Sequence, residues 1–116
     1  RWDGDNWEQL KDEMEDTINF NTIRGVDAPT GLAVNSAGNP IISWSEKRDE
    51  SGGSAFIDVY VKRWNNMTES WEQLGGALDV LNTFAERPSL AIDASDNPVV
   101  VWEENLEYLF VKRYIT

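Results

Sequence analysis

The side chains best suited to chemistry in this sequence are carboxylates that follow apolar segments or lie in the stretches between them. Two carboxylates a few ångströms apart can act as acid and nucleophile in glycoside hydrolysis, and several together can attract a cationic ligand. The candidates for a ligand site are Asp12, Asp16, Glu46, Asp49, Glu50, Glu103 and Glu104. Acidic residues that end a strand are also common in proteins without catalysis, so we treat hydrolysis as the alternative function.

Composition excludes several other chemistries. The 116 residues include no Cys and no His, which removes disulfides, thiol nucleophiles, imidazole bases and the usual zinc ligands. Any metal would have to be a hard cation with oxygen ligands. We expect no cofactor and no metal site. The formal net charge of −11 opposes binding to nucleic acid or to an anionic membrane, and no segment has the roughly 20 apolar residues that cross a bilayer.

An internal repeat covers almost the whole chain. Residues 30–46 return 58 residues later as residues 88–104, with the same order of apolar residues, Asn-Pro and Trp. Val-Lys-Arg-Trp at residues 61–64 returns as Val-Lys-Arg-Tyr at residues 111–114, and Trp-Glu-Gln-Leu at residues 7–10 returns at residues 71–74. Such a period is typical of a repeat architecture.

Each copy has the pattern of an antiparallel meander. Asn35 and Asp93 can cap the turn after the first strand, and Pro40 and Pro98 open the second, where a missing N–H matters least. The predicted strands are residues 31–34, 41–46, 57–64 and 70–74, then 90–93, 99–104 and 108–114, with residues 6–10 as a further fourth strand. A short helix within residues 8–16 stays open as an alternative.

The meander, with its Asn-Pro turn and a Trp near the end of the second strand, resembles the blade of a β-propeller. Residues 29–40 are similar to the opening of NHL-type repeats and related bacterial blades with a Val-Lys-Arg-Trp third strand. The resemblance implies an all-β chain of two four-stranded antiparallel blades, circularly offset. It says little about function, because propellers include enzymes, lectins and interaction scaffolds.

The phase of the repeat predicts assembly. We interpret residues 1–116 as one two-blade unit. Residues 1–10 would be a fourth strand that completes a neighbouring chain's blade, residues 29–76 the first full blade and residues 88–116 strands 1–3 of the second. Propeller rings need typically 4–8 blades, so two cannot close alone. We expect a homo-oligomer with strand exchange, preferably a trimer, with a dimer or tetramer as alternatives, and a fragment of a longer propeller as the competing interpretation.

The predicted contacts follow from this arrangement. The oligomer interface should include Trp7, Leu10, Val111 and Tyr114. Trp44 and Trp102 should pack between blades, Trp7 and Trp71 should be core residues of the outer strand, and Trp64 and Tyr114 should be partly exposed. Each Lys-Arg pair should contribute a salt bridge to Glu72 or Glu8 on the adjacent strand.

The longer connections should emerge on one face and make it acidic and rich in loops, as binding surfaces often are. We predict a non-enzymatic interaction scaffold whose ligand is cationic or a glycan. A lectin-like or glycoside-hydrolysing propeller is the alternative.

Overall fold

The computed structural model describes residues 2–3, 6–12, 18, 26–47, 56–81 and 84–115, and this part of the chain contains β-strands and no helix. The strands are β1 Trp2–Asp3, β2 Asn6–Trp7, β3 Val26–Val34, β4 Pro40–Lys47, β5 Ile57–Asn65, β6 Ser70–Gln73, β7 Ala85–Ile92, β8 Pro98–Glu104 and β9 Tyr108–Arg113. The expected all-β class is confirmed.

The strands form two antiparallel meanders and a short hairpin. The first sheet has the order β3-β4-β5-β6, the second sheet has the order β7-β8-β9, and β1 pairs with β2. These described sheets do not close into a ring. The first sheet has four strands and the second has three. Strand β9 corresponds to β5, but β5 pairs with β6 whereas β9 lies at the edge of its sheet.

The turns between the first two strands of each sheet have the predicted chemistry. The Asn35 Oδ1 atom accepts hydrogen bonds from the backbone N–H groups of Ala37 and Asn39 at 3.1 and 2.9 Å. The Asp93 Oδ1 atom accepts the equivalent pair from Ser95 and Asn97, both at 2.9 Å. These contacts close the turns, after which β4 and β8 begin at prolines as expected.

The sequence repeat is also a repeat of strand register. Ile41 lies opposite Arg63 in the first sheet, and Val99 lies opposite Arg113 in the second. At the other end of the same strand pairs, Glu46 faces Asp58 and Glu104 faces Tyr108. Because the side-chain period of a strand is two, equal register places equivalent residues on equivalent faces.

The core lies between the two sheets. Ile41, Val59 and Val61 form the covered face of the first sheet and are buried against Val100 and Trp102 of the second. The opposite side of the second sheet, which we call its open face, carries Val99, Val101, Leu109 and Val111. The sheets therefore stack with different faces in contact.

Strands β3 and β7, which we call the inner strands, approach each other closely at Gly31. A Cβ atom built there would lie 2.5 Å from Ser43 Oγ and 3.2 Å from the backbone N of Leu90 on β7. No other residue type fits that space without displacing its neighbours. This contact joins β3 to β7 and sets the spacing of the two sheets at their inner edge.

Several details differ from the sequence expectations. Within the described N-terminal residues, the strand pairing covers Asn6–Trp7, which pair with Trp2–Asp3, and not the whole predicted strand of residues 6–10. Trp64 is buried, because it packs edge-on against Trp71 across β5 and β6 with ring centroids 5.5 Å apart. Trp7 is 78% exposed in the single chain, where no neighbouring blade is present to cover it. Residues 8–12 are not helical, and residues 13–16 lie outside the described part.

Candidate functional site

Two of the predicted ligand carboxylates are buried partners of tryptophans. Trp44 Nε1 donates to Glu46 Oε1 at 2.8 Å, and Trp102 Nε1 donates to Glu104 Oε2 at 2.9 Å. The side chains of Glu46 and Glu104 are 2% and 0% exposed. The repeated Trp-x-Glu sequence is thus a repeated internal hydrogen bond, since a buried indole N–H and a buried carboxylate both need a partner.

Glu104 has a further structural role. Its Oε2 and Oε1 atoms accept hydrogen bonds from the backbone N–H groups of Val80 and Leu81 at 2.8 and 2.7 Å. The carboxylate thereby anchors the connection between the two sheets to β8. A glycosidase acid or nucleophile has to contact its substrate, and a fully buried carboxylate with three N–H donors does not suit that role.

The other predicted ligand residues are not brought together with these two. Asp12 Oδ1 accepts a hydrogen bond from the backbone N–H of Trp71 at 2.7 Å. Glu103 is paired with Arg87 on the surface at 3.3 Å. The remaining candidates, Asp16, Asp49 and Glu50, lie outside the described residues. Across the described part, no group of three acidic side chains is arranged to hold a metal ion.

A pair of carboxyl groups that the sequence analysis did not single out lies where β5 meets the connection between the sheets. Asp79 Oδ1 accepts the backbone N–H of Val59 at 3.1 Å. Burial, together with a hydrogen bond to the buried Asp58, raises the pKa of Asp79 to about 7. The Tyr60 hydroxyl lies 3.4 Å from Asp58 Oδ2, and burial beside these acids raises the pKa of Tyr60 to about 12.

Protonation of Asp79 below its raised pKa of about 7 allows this side chain to stay close to Asp58 without full like-charge repulsion. The repeat did not indicate it, because the residue in the second copy that corresponds to Asp58 is Tyr108. The available signal was a single acid, Asp58, in the apolar third strand.

In each repeated Lys-Arg pair, the lysine contacts a backbone carbonyl and the arginine contacts a carboxylate. Lys62 Nζ donates to the Ile18 carbonyl, and Lys112 Nζ donates to the Leu78 carbonyl, both at 2.8 Å. Each lysine thus ties the middle of a third strand to the connection that precedes its own sheet. The two sheets therefore share tertiary contacts as well as register.

The arginines extend toward neighbouring strands and turns. Arg63 forms the expected salt bridge with Glu72 on β6, with Nε and Oε1 2.9 Å apart. Arg113, which has no β6 equivalent beside it, instead contacts Asp93 at 3.2 Å and is 57% exposed. The predicted salt bridge to the fourth strand is confirmed in the first sheet.

A cleft of about 190 Å³ opens between the sheets at the edge of β9. It is lined by Val61, Leu74, Gly75, Gly76, Ala77, Leu78, Pro98, Val100, Lys112, Arg113 and Tyr114. Among the predicted interface residues, Tyr114 lines this cleft and is 37% exposed, and Val111 on the open face is 63% exposed. The carbonyl of Leu10 accepts a hydrogen bond from Trp71 Nε1 at 2.8 Å.

No protein-family model, curated protein or solved structure matches this chain. The part of the chain described here contains no helix that could cross a membrane.

Proposed function

We propose that this chain is a two-blade β-propeller unit that acts as a non-enzymatic interaction scaffold and assembles with further copies of itself. Each blade is one of the two sheets, and the second sheet is completed by a neighbouring chain. The support comes from positions that the repeat makes equivalent and that differ in burial.

One comparison of equivalent residues carries the proposal. Val59 and Val61 on the covered face of the first sheet are 0% and 3% exposed, because the second sheet packs on them. Their counterparts on the open face of the second sheet, Leu109 and Val111, are 72% and 63% exposed. An apolar surface of this kind is characteristic of a contact site, and the occupant that fits it in the first sheet is another sheet of the same type.

The open edge of β9 supports the same conclusion. An edge strand with apolar side chains is a template for pairing with another chain. In the first sheet that position is filled by β6, whose Trp-Glu-Gln-Leu sequence also occurs at residues 7–10. Residues 6–10 of a second copy are therefore the proposed fourth strand, in a head-to-tail contact that closes into a ring if its rotation permits.

Three copies would form six blades, which lies within the range of known rings, and we propose the trimer. The test is the mass of the purified chain by light scattering. We expect an integer multiple of 13.2 kDa, with three copies as the preferred value. Deletion of residues 1–10 should reduce that mass, because the third-strand edge loses its partner.

Substitutions on the open face give a sharper comparison. Leu109→Lys and Val111→Lys should each shift the protein toward the monomer, because a charge would replace a buried contact at the interface. Leu106→Lys is the matched control, since Leu106 is 71% exposed in the turn between β8 and β9. A monodisperse, folded monomer of the unsubstituted chain at all concentrations would refute the proposal.

The assembly would also present a ligand surface. The acidic segments that contain Asp16, Asp49 and Glu50 are the proposed site for a cationic or glycan ligand, because their charges would recur around a ring. A glycan array on the assembled protein tests the second of these ligands, with Asp49→Asn and Glu50→Gln as the variants. Loss of array binding in these variants would support the assignment, and array binding unchanged by both would contradict it.

A further inference from the structure

The geometry points to the cleft between the sheets as the binding site for a tryptophan side chain from a fourth strand. We call this binding site, and its equivalent around Trp71 in the first sheet, a tryptophan seat. We infer that the occupant is Trp7 of a second copy, inserted beside Tyr114 while residues 6–10 pair with β9. This inference rests on the proposed self-assembly and specifies which side chain anchors it.

The first sheet shows what such a seat looks like when it is filled. Trp71 on β6 packs edge-on against Trp64 on β5, with the ring centroids 5.5 Å apart. Its indole N–H donates to the Leu10 carbonyl at 2.8 Å. The tryptophan of the fourth strand is therefore held by an aromatic residue of the third strand and by the start of the connection that precedes the sheet.

The second sheet has counterparts of the two groups that hold Trp71, and both lie at the cleft. Tyr114 occupies the position of Trp64 in the repeat, and Leu74 occupies that of Leu10, and both line the cleft. Lys112, the counterpart of Lys62, contacts the Leu78 carbonyl along the same wall. The cleft is thus the position of Trp71 repeated in the second sheet, without its tryptophan.

Size and charge fit the same occupant. The cleft measures about 190 Å³, and an apolar cavity of about 150 Å³ is large enough to hold a benzene ring. In the first sheet Glu72 lies opposite Arg63 and forms a salt bridge with it. An incoming strand in that register would place Glu8 opposite Arg113, which is half-exposed and accessible from the edge.

The second seat lacks one polar contact of the first. Asp12 accepts the backbone N–H of Trp71, but the residue corresponding to Asp12 in the second copy is Gly76. The incoming strand therefore lacks that side-chain acceptor, and we expect its tryptophan ring and its ladder with β9 to provide the contacts that hold it.

The hairpin of β1 and β2 competes with this docking. Trp2 lies opposite Trp7 in the chain's own hairpin, and in the repeat it occupies the same position as Trp64 and Tyr114. Docking on β9 therefore requires this two-residue pairing to open. Substituting Trp2 by Gly should favour the docked form, whereas substituting Trp7 by Ala should prevent it.

A binding experiment in trans tests the seat directly. The recipient is the full chain with Trp7→Ala, and the probe is a labelled synthetic peptide of residues 5–12, followed by fluorescence anisotropy. We expect saturable binding, and a peptide with Ala in place of its tryptophan should bind about tenfold more weakly or worse, as for a buried aromatic anchor. Because this change is in the peptide, it leaves the fold of the recipient untouched.

Blocking the cleft locates the contact. Ala77→Phe places a ring in the lining of the cleft without altering the β9 edge, and it should weaken peptide binding by a similar factor. Ala94→Phe, in the exposed turn between β7 and β8, is the matched control and should bind like the parent. Equal binding by the Ala77→Phe and Ala94→Phe proteins would overturn the assignment of the cleft.

The two proposals fail in different ways. If the unsubstituted chain is oligomeric but its mass is unchanged by Trp7→Ala and by Ala77→Phe, the seat is wrong while self-assembly stands. If the chain is a monomer but the Trp7→Ala protein binds the peptide through the cleft, the seat is right and self-assembly is refuted.

Discussion

The indole N–H of Trp102 donates a hydrogen bond to the carboxylate of Glu104, two residues later on the same strand. The Nε1 and Oε2 atoms are 2.9 Å apart, and both side chains are fully buried. The pair sits where β8 meets the connection between the sheets, because the same carboxylate accepts the backbone N–H groups of Val80 and Leu81. One side chain therefore links an aromatic residue of the core to the backbone of a loop.

Replacing Glu104 by Gln should destabilise the protein by roughly 2–4 kcal/mol, because the amide group cannot accept from three N–H donors at once. Equilibrium unfolding in urea measures the change. Glu103→Gln is the control, since Glu103 makes a surface ion pair and its loss should cost no more than about 1 kcal/mol. Equal losses in the two variants would contradict the structural role of Glu104.

The pair of Asp58 and Asp79 predicts a dependence of stability on pH. Burial and the hydrogen bond to Asp58 raise the pKa of Asp79 from 3.8 to about 7, so between these values the folded protein retains a proton that the unfolded chain releases. The free energy of unfolding should therefore fall as pH rises from about 4 to about 7, and urea unfolding across this range measures it.

Asp79→Asn should flatten that slope, because the amide keeps an acceptor for the Val59 N–H and does not titrate. Asp93→Asn is the matched control. Backbone N–H donors, first among them that of Asn97, lower the pKa of Asp93, so it titrates below this pH range. A slope that survives Asp79→Asn unchanged would assign the pH dependence to other groups.

Gly31→Ala should destabilise the protein by about 1–3 kcal/mol, because the new methyl group would press on Ser43 and on the backbone of Leu90. Thermal or urea unfolding measures this change. Gly76→Ala is the control, since a Cβ there meets no atom within 4 Å and the expected effect is within about 0.5 kcal/mol. A neutral Gly31→Ala variant would mean that the inner strands can separate without loss.

The sequence predicted the elements that depend on local signals. The Asn35 and Asp93 turns and the prolines that open β4 and β8 follow from residue types at fixed offsets. The antiparallel order of each sheet followed from the same pattern, because consecutive strands with short turns pair with each other.

What the sequence missed depends on contacts between distant segments. Glu46 and Glu104 were predicted as ligand residues, but their burial is set by the position of the tryptophans and the connecting loop, which no local pattern encodes. The burial of Trp64 was also misjudged. It depends on the edge-on contact with Trp71 on β6, and repeat position alone does not determine that contact.

The stacking of unlike faces gives the molecule a direction. A surface that binds an identical surface is fully covered in a dimer. Here the covered face of the first sheet packs on the side of the second sheet that lies opposite its open face, so the two faces in contact are not equivalent. In the proposed assembly, the number of units follows from the angle between successive sheets, so a change that alters this angle, even far from any contact between protomers, should alter the number of subunits.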